Sequence, residues 1–454
     1  MRRRRWIPGP SRHSVGYSSV TVPNLWLLSC YPSIPAIAPT CLPSTPTCQN
    51  SEAKIQFSSS TTHLTPAQQL AIDLAQAGKE PSIAPRDDTS IPNTHTHPTP
   101  PVTMAAAPEN GTPIHVGTRR SALAMKQTEI VVEGLSKARP DATFEIHSMQ
   151  TLGDKDQITA LYNFGGKGLW TNELEAKLVA KELDIIVHSL KDMPTTLPDG
   201  CTLGCVTKRE DPRDVVVFKA GLAEQHGWKT LGDLPAGSVI GTSSIRRIAQ
   251  LKRRHPGLRF ADVRGNIETR LRKCDDPEGP FSAIILAAAG LLRMDYGARI
   301  SQYLDSENGG TLHAVGQGAL GIEARAGDER VLSVLRELED EPTMLACVAE
   351  RSVMRTLEGG CSVPIGVETS WVEVEGSKKL RLKATVVHVD GTQGVDAERT
   401  ETIATREEAD DFGKLVAQDL VDGGAQKILD DINQARPGDQ IATAETAAAA
   451  NAAA

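Results

Sequence analysis

Ser238-Val239-Ile240-Gly241-Thr242-Ser243-Ser244-Ile245-Arg246-Arg247, continued through residue 254, is the stretch whose reading decides the fold. Residues 238–240 are strand-like and residues 244–254 carry a helical pattern, with a glycine and hydroxyls in the turn between them. Strand, polar turn and helix in that order form the repeating step of a parallel α/β sheet. The same step recurs upstream, where residues 114–116 lead into an amphipathic stretch at 121–135, and a helix-like segment at 172–183 precedes a strand at 184–187. Residues 283–286 read as an apolar strand buried on both faces. From Thr343 the order changes to a helix, then an alternating strand at 380–389 paired with one near 370–374, then one helix over 406–429. That part reads as a separate α+β domain.

Composition narrows the class. The 454 residues allow two to four domains, and 4% aromatic with 23% charged residues is the balance of a soluble α/β protein. The longest apolar run, residues 283–292, is about half a membrane span, so no transmembrane helix and no membrane partner are expected. The eight cysteines (30, 41, 48, 201, 205, 274, 347 and 361) lack zinc-site or CxxC spacing and read as reduced thiols. Residues 1–108 hold 16 of the 28 prolines and no sustained apolar period, which predicts disorder. The first 51 residues contain no Asp or Glu and open with Arg2 to Arg5, as organellar transit peptides do. The reading preferred here is a translation start at Met104, ten residues before the first strand. The Ala-rich tail at 441–454 is expected to fray.

A net charge of −8 argues against a nucleic-acid partner, yet eight arginines fall between Arg246 and Arg272. An arginine cluster in an acidic chain points to a small polyanion. Ligands of parallel sheets bind beyond the carboxyl ends of strands. Four polar segments stand there: Gly117 to Ser121, His188 to Asp192, Gly241 to Arg247, and Arg264-Gly265-Asn266 after a strand ending at Val263. Free N–H groups, hydroxyls and two arginines at a helix start make an anion receptor. Equally, Thr242 or Ser243 could merely cap that helix while Arg246 and Arg247 face solvent. The 165–168 loop around Lys167 lacks the spacing of a nucleotide-binding loop. Asp192 suits acid/base work and stabilisation of a developing cation, although a lone Asp there is commonly a turn residue. Cys361, after two glycines, has an accessible setting, although cysteine alone is more often inert packing. His188 has no ligand-spaced partner, so no metal is expected.

Taken together, these segments resemble the porphobilinogen deaminase (hydroxymethylbilane synthase) family from about residue 114 to residue 431. The resemblance rests on Gly117-Thr118-Arg119 with Ser121, Gly165 to Leu169, His188 to Asp192, Arg209 to Asp214, Gly241 to Arg247, Arg264-Gly265-Asn266 with Arg270, Ala314 to Gly318, and Glu358 to Gly366. It implies a transferase that polymerises porphobilinogen stepwise into the linear tetrapyrrole hydroxymethylbilane, releasing ammonia at each addition. It implies two periplasmic-binding-protein-like α/β domains with parallel-rich sheets, over 112–212 plus 316–341 and over 213–315. A C-terminal α+β domain over 342–440 completes the expected fold. A dipyrromethane cofactor is implied on Cys361 through a thioether.

By the same resemblance, Asp192 is catalytic, and Lys191, Ser189, Thr242, Ser243, Ser244, Arg246, Arg247, Arg264 and Gln317 hold the cofactor. Arg119, Ser121, Lys167, Arg270 and Arg293 then hold the substrate's acidic side chains. Asn163 departs from the family pattern, in which many members carry a basic residue, so no cationic contact is carried over there. A cytoplasmic monomer is expected, or an organellar one if the leader is a transit peptide. The rival reading is a non-catalytic small-anion binding protein of the same two-lobed fold, which would not need Asp192 together with Cys361.

Overall fold

The computed structural model describes residues 112–151, 171–357 and 363–434. The leader, the loop with Lys167, Cys361 and the Ala-rich tail lie outside the described residues.

The first sheet starts with β1 (Ile114–Arg119), followed by helix α1 (Ala122–Ala138) and β2 (Phe144–Met149). Helix α2 (Asn172–Val179), β3 (Ile185–Ser189) and β4 (Cys201–Val206) follow. The chain then crosses into the second sheet with β5 (Asp214–Phe218), helix α3 (Leu222–His226), β6 (Val239–Gly241), α4 (Ile245–Arg254) and β7 (Arg259–Ala261). That lobe continues with α5 (Ile267–Asp275), β8 (Ala283–Ala287), α6 (Ala288–Arg293) and β9 (Gln302–Leu304). A return crossing delivers β10 (Leu320–Arg325) to the first sheet, whose order is β2-β1-β3-β10-β4, while the second is β7-β6-β8-β5-β9. Each sheet thus carries one reversed strand, β10 antiparallel to β3 and β4, and β5 antiparallel to β8 and β9. The βαβ rhythm of the sequence could not show this, because strand direction depends on where the chain re-enters a sheet.

Helices α7 (Glu329–Arg336) and α8 (Glu341–Thr356) lead to an antiparallel meander, β11 (Ile365–Val374), β12 (Ser377–Val387) and β13 (Gly394–Glu401). Helices α9 (Arg406–Asp422) and α10 (Ala425–Gln434) cover it. One apolar core joins Leu380, Leu382, Ala384 and Val386 of β12 to Phe412, Val416 and Leu420 of α9. The alternating apolar residues of β12 produce this packing, since successive side chains leave opposite faces of a strand. In the second lobe, Val215, Val216 and Val217 are fully buried on both faces of β5, each contributing about 1.5–3 kcal/mol.

Several sequence expectations shift in detail. The strand expected to end at Val263 ends at Ala261, and Val263 is buried in the following turn. The helix expected over 172–183 stops at Val179, and Lys181 takes a positive φ of 64° in the turn that follows. The single helix expected over 406–429 is two, divided at Gly423 and Gly424, where Gly424 adopts φ 98°. β13 was not foreseen: its sequence, Gly394 to Glu401, is largely polar, and it is held by pairing along β12.

Candidate functional site

The two chain crossings run side by side at the edge where β1, β3, β6 and β8 end. Glu210 N–H donates to the Gly318 carbonyl (3.2 Å), and Arg209 Nε donates to the Gln317 carbonyl (2.8 Å). Gly318 has φ 87°, and a side chain there would stand 2.3 Å from the Glu210 carbonyl oxygen, so only glycine permits the approach. The same Arg209 forms a fork with Glu350 of α8 at 2.6 and 2.9 Å. Burial alone would raise the Glu350 carboxyl, but the Arg209 guanidinium holds it down at about 2. This pair ties the C-terminal lobe to the crossings.

In front of the crossings lies a cavity of about 730 Å³, within the roughly 300–1,000 Å³ of small-molecule sites. Every candidate residue that the structure describes lines it: Arg119 and Ser121 beyond β1, then Ser189, Lys191 and Asp192, the last two in a one-turn 3-10 helix (Leu190–Asp192) after β3. Thr242, Ser243, Ser244, Arg246 and Arg247 come from the β6–α4 junction. Arg264, Arg270, Arg293 and Gln317 complete the wall. Lys167 and Cys361 are outside the described residues. Helices α1, α4 and α5 begin at this cavity, with Ser121 Oγ accepting from Ala124 N–H (3.3 Å) and Asn266 Oδ1 from Thr269 N–H (2.8 Å). Three positive helix ends face one space, which favours anions.

The solvent-facing alternative for Arg246 and Arg247 is overturned, because they are only 5% and 6% exposed. Neither does Thr242 or Ser243 cap α4 in the ordinary way. The cap position is Ser244, whose own N–H donates to Thr242 Oγ1 (3.2 Å), while Ser243 Oγ donates to the Val263 carbonyl (3.2 Å). The arginines instead share a carboxylate that the sequence reading gave no role. Arg246 Nη1 donates to Asp214 Oδ2 (2.7 Å) and Arg247 Nη2 to Asp214 Oδ1 (2.6 Å). Gln317 Nε2 adds a third donor to Asp214 (2.8 Å). Burial would raise the Asp214 carboxyl, yet the two guanidinium groups hold it far below the usual carboxylate range. The reversed direction of β5 explains the placement: its first residue sits where the parallel strands end. A signal existed in the sequence, a lone Asp opening the run Val215-Val216-Val217, since a charge in a buried strand requires a partner.

Two arginines of the wall, Arg270 and Arg293, differ from these. Arg270 Nε donates to the Gly265 carbonyl (2.7 Å) and Arg293 Nη2 to the Gly318 carbonyl (2.7 Å), and neither is salt-bridged to a carboxylate among the described residues. Burial pushes the Arg270 guanidinium down to about 10, with Arg247 adding to the effect. Burial likewise pushes the Lys191 ammonium down to about 8, although Lys191 remains partly open to the cavity and its Nζ donates to Gln317 Oε1 at 3.4 Å. Asp192 is half-buried, and among the described residues no donor bonds its carboxylate. His188, expected to be structural, is buried with its Nε2 3.0 Å from Glu323 Oε2.

Residues 114–333 match the family model described as "Porphobilinogen deaminase, dipyromethane cofactor binding domain", and residues 344–422 match "Porphobilinogen deaminase, C-terminal domain". The porphobilinogen deaminase of Neurospora crassa is 60% identical over 325 residues, 71% of this chain and 95% of that protein. That of Saccharomyces cerevisiae is 50% identical over 325 residues, 70% of this chain and 97% of that protein. The chain belongs to the porphobilinogen deaminase family. Solved structures similar to part of it include the periplasmic VFT2 domain of BvgS from Bordetella pertussis, at 14% identity and TM-score 0.29, covering 49% of this chain and 86% of that one.

The family's cofactor-binding domain thus contains the cavity's strand-end and helix-start residues from Arg119 to Gln317. The side chains fit a polycarboxylate such as a dipyrromethane. Among the described residues Arg247 Nε is buried with no hydrogen-bond partner, and the wall supplies hydroxyls, helix N-termini and the Arg270 and Arg293 guanidinium groups, which no described carboxylate bridges. Among the described residues, no helix is long and apolar enough to cross a membrane.

Proposed function

We propose that this cleft carries out the stepwise deaminative polymerisation of porphobilinogen into hydroxymethylbilane, a transferase reaction of tetrapyrrole and heme biosynthesis. The observation that carries the reading is one cavity containing Asp192 together with Arg270 and Arg293, which are salt-bridged to no carboxylate among the described residues. Bound through a thioether to Cys361, a dipyrromethane would supply the pyrrole carbon to which units are added. Arg246, Arg247, Arg264, Lys191, Ser189, Thr242, Ser243, Ser244 and Gln317 hold that group. Arg119, Ser121, Lys167, Arg270 and Arg293 receive the acetate and propionate arms of incoming porphobilinogen.

Asp192 donates a proton to the departing amine as the C–N bond breaks and ammonia leaves. Its carboxylate then stands beside the positive charge left on the substrate's methylene carbon. Once the new C–C bond has formed, Asp192 accepts the proton displaced from the pyrrole carbon that attacked, which restores its acid form. The clustered guanidinium groups keep the substrate's own carboxylates away from that cation.

The same reading places domains at 112–212 plus 316–341, 213–315 and 342–440, in a cytoplasmic monomer that takes neither nucleic acid nor membrane as partner. Incubating the full chain with porphobilinogen should yield linear tetrapyrrole and ammonia, and intact mass spectrometry should find a dipyrrole's added mass that is absent in Cys361→Ser. A chain that binds porphobilinogen without consuming it would instead be a small-anion binding protein.

A further inference from the structure

We propose that His115, Glu145 and His147 form a binding site for one divalent transition-metal ion of the zinc class, on the paired strands β1 and β2. Sequence spacing conceals it, because the two histidines are 32 positions apart and come together only through strand pairing. In the parallel register His115 stands opposite Glu145 and Gly117 opposite His147, which puts all three side chains on one face of the sheet. A glycine opposite His147 leaves its ring free to lean toward His115. Their facing nitrogens, His115 Nδ1 and His147 Nε2, are 2.9 Å apart. Glu145 Oε2 lies 3.6 Å from the first and 4.0 Å from the second.

These separations match a coordination sphere. With metal–nitrogen and metal–oxygen bonds of about 2.0–2.2 Å, the ligand atoms of a tetrahedral ion stand roughly 3.3–3.6 Å apart. The observed 2.9, 3.6 and 4.0 Å straddle that range, so rotations about side-chain bonds seat an ion without moving either strand. Two imidazoles and one carboxylate favour zinc, copper, nickel or cobalt over magnesium or calcium, which prefer oxygen ligands alone. The side chains are 34%, 58% and 48% exposed, which gives an ion access and leaves a coordination position to water.

The strand beneath His115 is held firmly. Its backbone N–H donates to Asp184 Oδ2 (2.9 Å), its carbonyl accepts from Asp184 N–H (2.8 Å), and Arg325 and Arg330 fix the Asp184 carboxylate. Such support keeps a ligand set in place before the ion arrives. Because β2 is an edge strand, a bound ion would also clip the edge of the first sheet to β1. The competing state is a simple imidazole–imidazole hydrogen bond at 2.9 Å, which needs no contribution from Glu145.

Zinc titration of the full chain by calorimetry tests the site, read as the difference between the native sequence and the His115→Ala, His147→Ala double variant. The difference cancels binding by the chain's other histidines and its cysteines. The native chain should bind one more equivalent, and Glu145→Gln should weaken that equivalent by about tenfold or more. Co²⁺ in the same position should show no intense sulfur-to-metal charge-transfer band, which separates it from thiolate ligation. The single variant His147→Gln, at an exposed position, serves if the double variant unfolds, and it too should lose the equivalent. Equal stoichiometry and affinity in the native chain and the histidine variants, or undiminished binding by Glu145→Gln, would overturn the proposal.

Discussion

Asp214 and Asp192 stand at the same strand-end edge in opposite circumstances. Asp214 is fully buried, bonded by Arg246, Arg247 and Gln317, and its carboxyl is held far below the ordinary range. Asp192 opens onto the cavity with no hydrogen-bond donor among the described residues. A charge whose coordination is complete can hold a wall in shape but has nothing to offer a substrate. A charge that feels the cations of Lys191 and Arg270 but that no described donor bonds is available for chemistry. The arginines divide in the same way: Arg246 and Arg247 are tied to Asp214, while among the described residues Arg270 and Arg293 donate to backbone carbonyls and form no salt bridge.

Of the two carboxylates, Asp192 is the one whose loss should cost turnover, as Asp192→Asn would show. Loss of the proton donor and of the negative charge should lower kcat by about 10²–10⁴-fold, while denaturant unfolding of the variant remains at the native midpoint. Near-normal turnover would remove Asp192 from the reaction. Asp214→Asn should do the reverse and strike the fold. It leaves two guanidinium groups buried without a counter-charge, at a cost of about 3–5 kcal/mol, visible as an early unfolding transition. A variant as stable as the parent would show that Asp214 is not the anchor of the second lobe.

The arginine division predicts a smaller effect of mixed kind. Arg270→Gln removes a cation that burial already disfavours, so stability should hold or rise slightly, while KM for porphobilinogen increases by about 10–100-fold, the worth of one charge-assisted bond. Arg246→Gln should instead lose stability, since Asp214 then keeps one guanidinium partner in place of two. If both variants lose stability equally, the distinction between tied and untied arginines fails.

The βα steps and the strand-end loops were legible because they rest on local patterns: apolar runs, hydroxyls at helix starts, glycines in turns. What was not legible is what the reversed strands bring together. Nothing around Ile245 announces that Arg246 and Arg247 will meet a carboxylate 32 and 33 residues away, nor does His115 announce His147. Direction and register of pairing are set by the whole sheet. Asp214 closes the segment Arg209 to Asp214, and its role follows from β5 entering the second sheet backwards. The division of Arg406 to Gln434 into two helices turned on Gly424, whose positive φ the sequence merely permits.

The smallest expected effect concerns Lys191, which lies between the two aspartates: next to Asp192 in the chain and joined through Gln317 to Asp214. Burial pushes its ammonium down to about 8 from an ordinary 10.5. Above about pH 8 the folded chain gives up this proton while the unfolded chain keeps it until about 10.5, so this residue makes stability rise with pH across that window. The slope must be well under about 1.4 kcal/mol per pH unit, the limit for one fully buried proton, because Lys191 is partly open to the cavity. Ligand capture should run the other way. A neutral amine no longer attracts a carboxylate, so porphobilinogen binding should weaken through pH 8, and Lys191→Met should lose both trends. Should the variant keep the same pH dependence, the titrating group is elsewhere, and Lys191 belongs with Asp214 among the groups whose charge state is fixed by the fold.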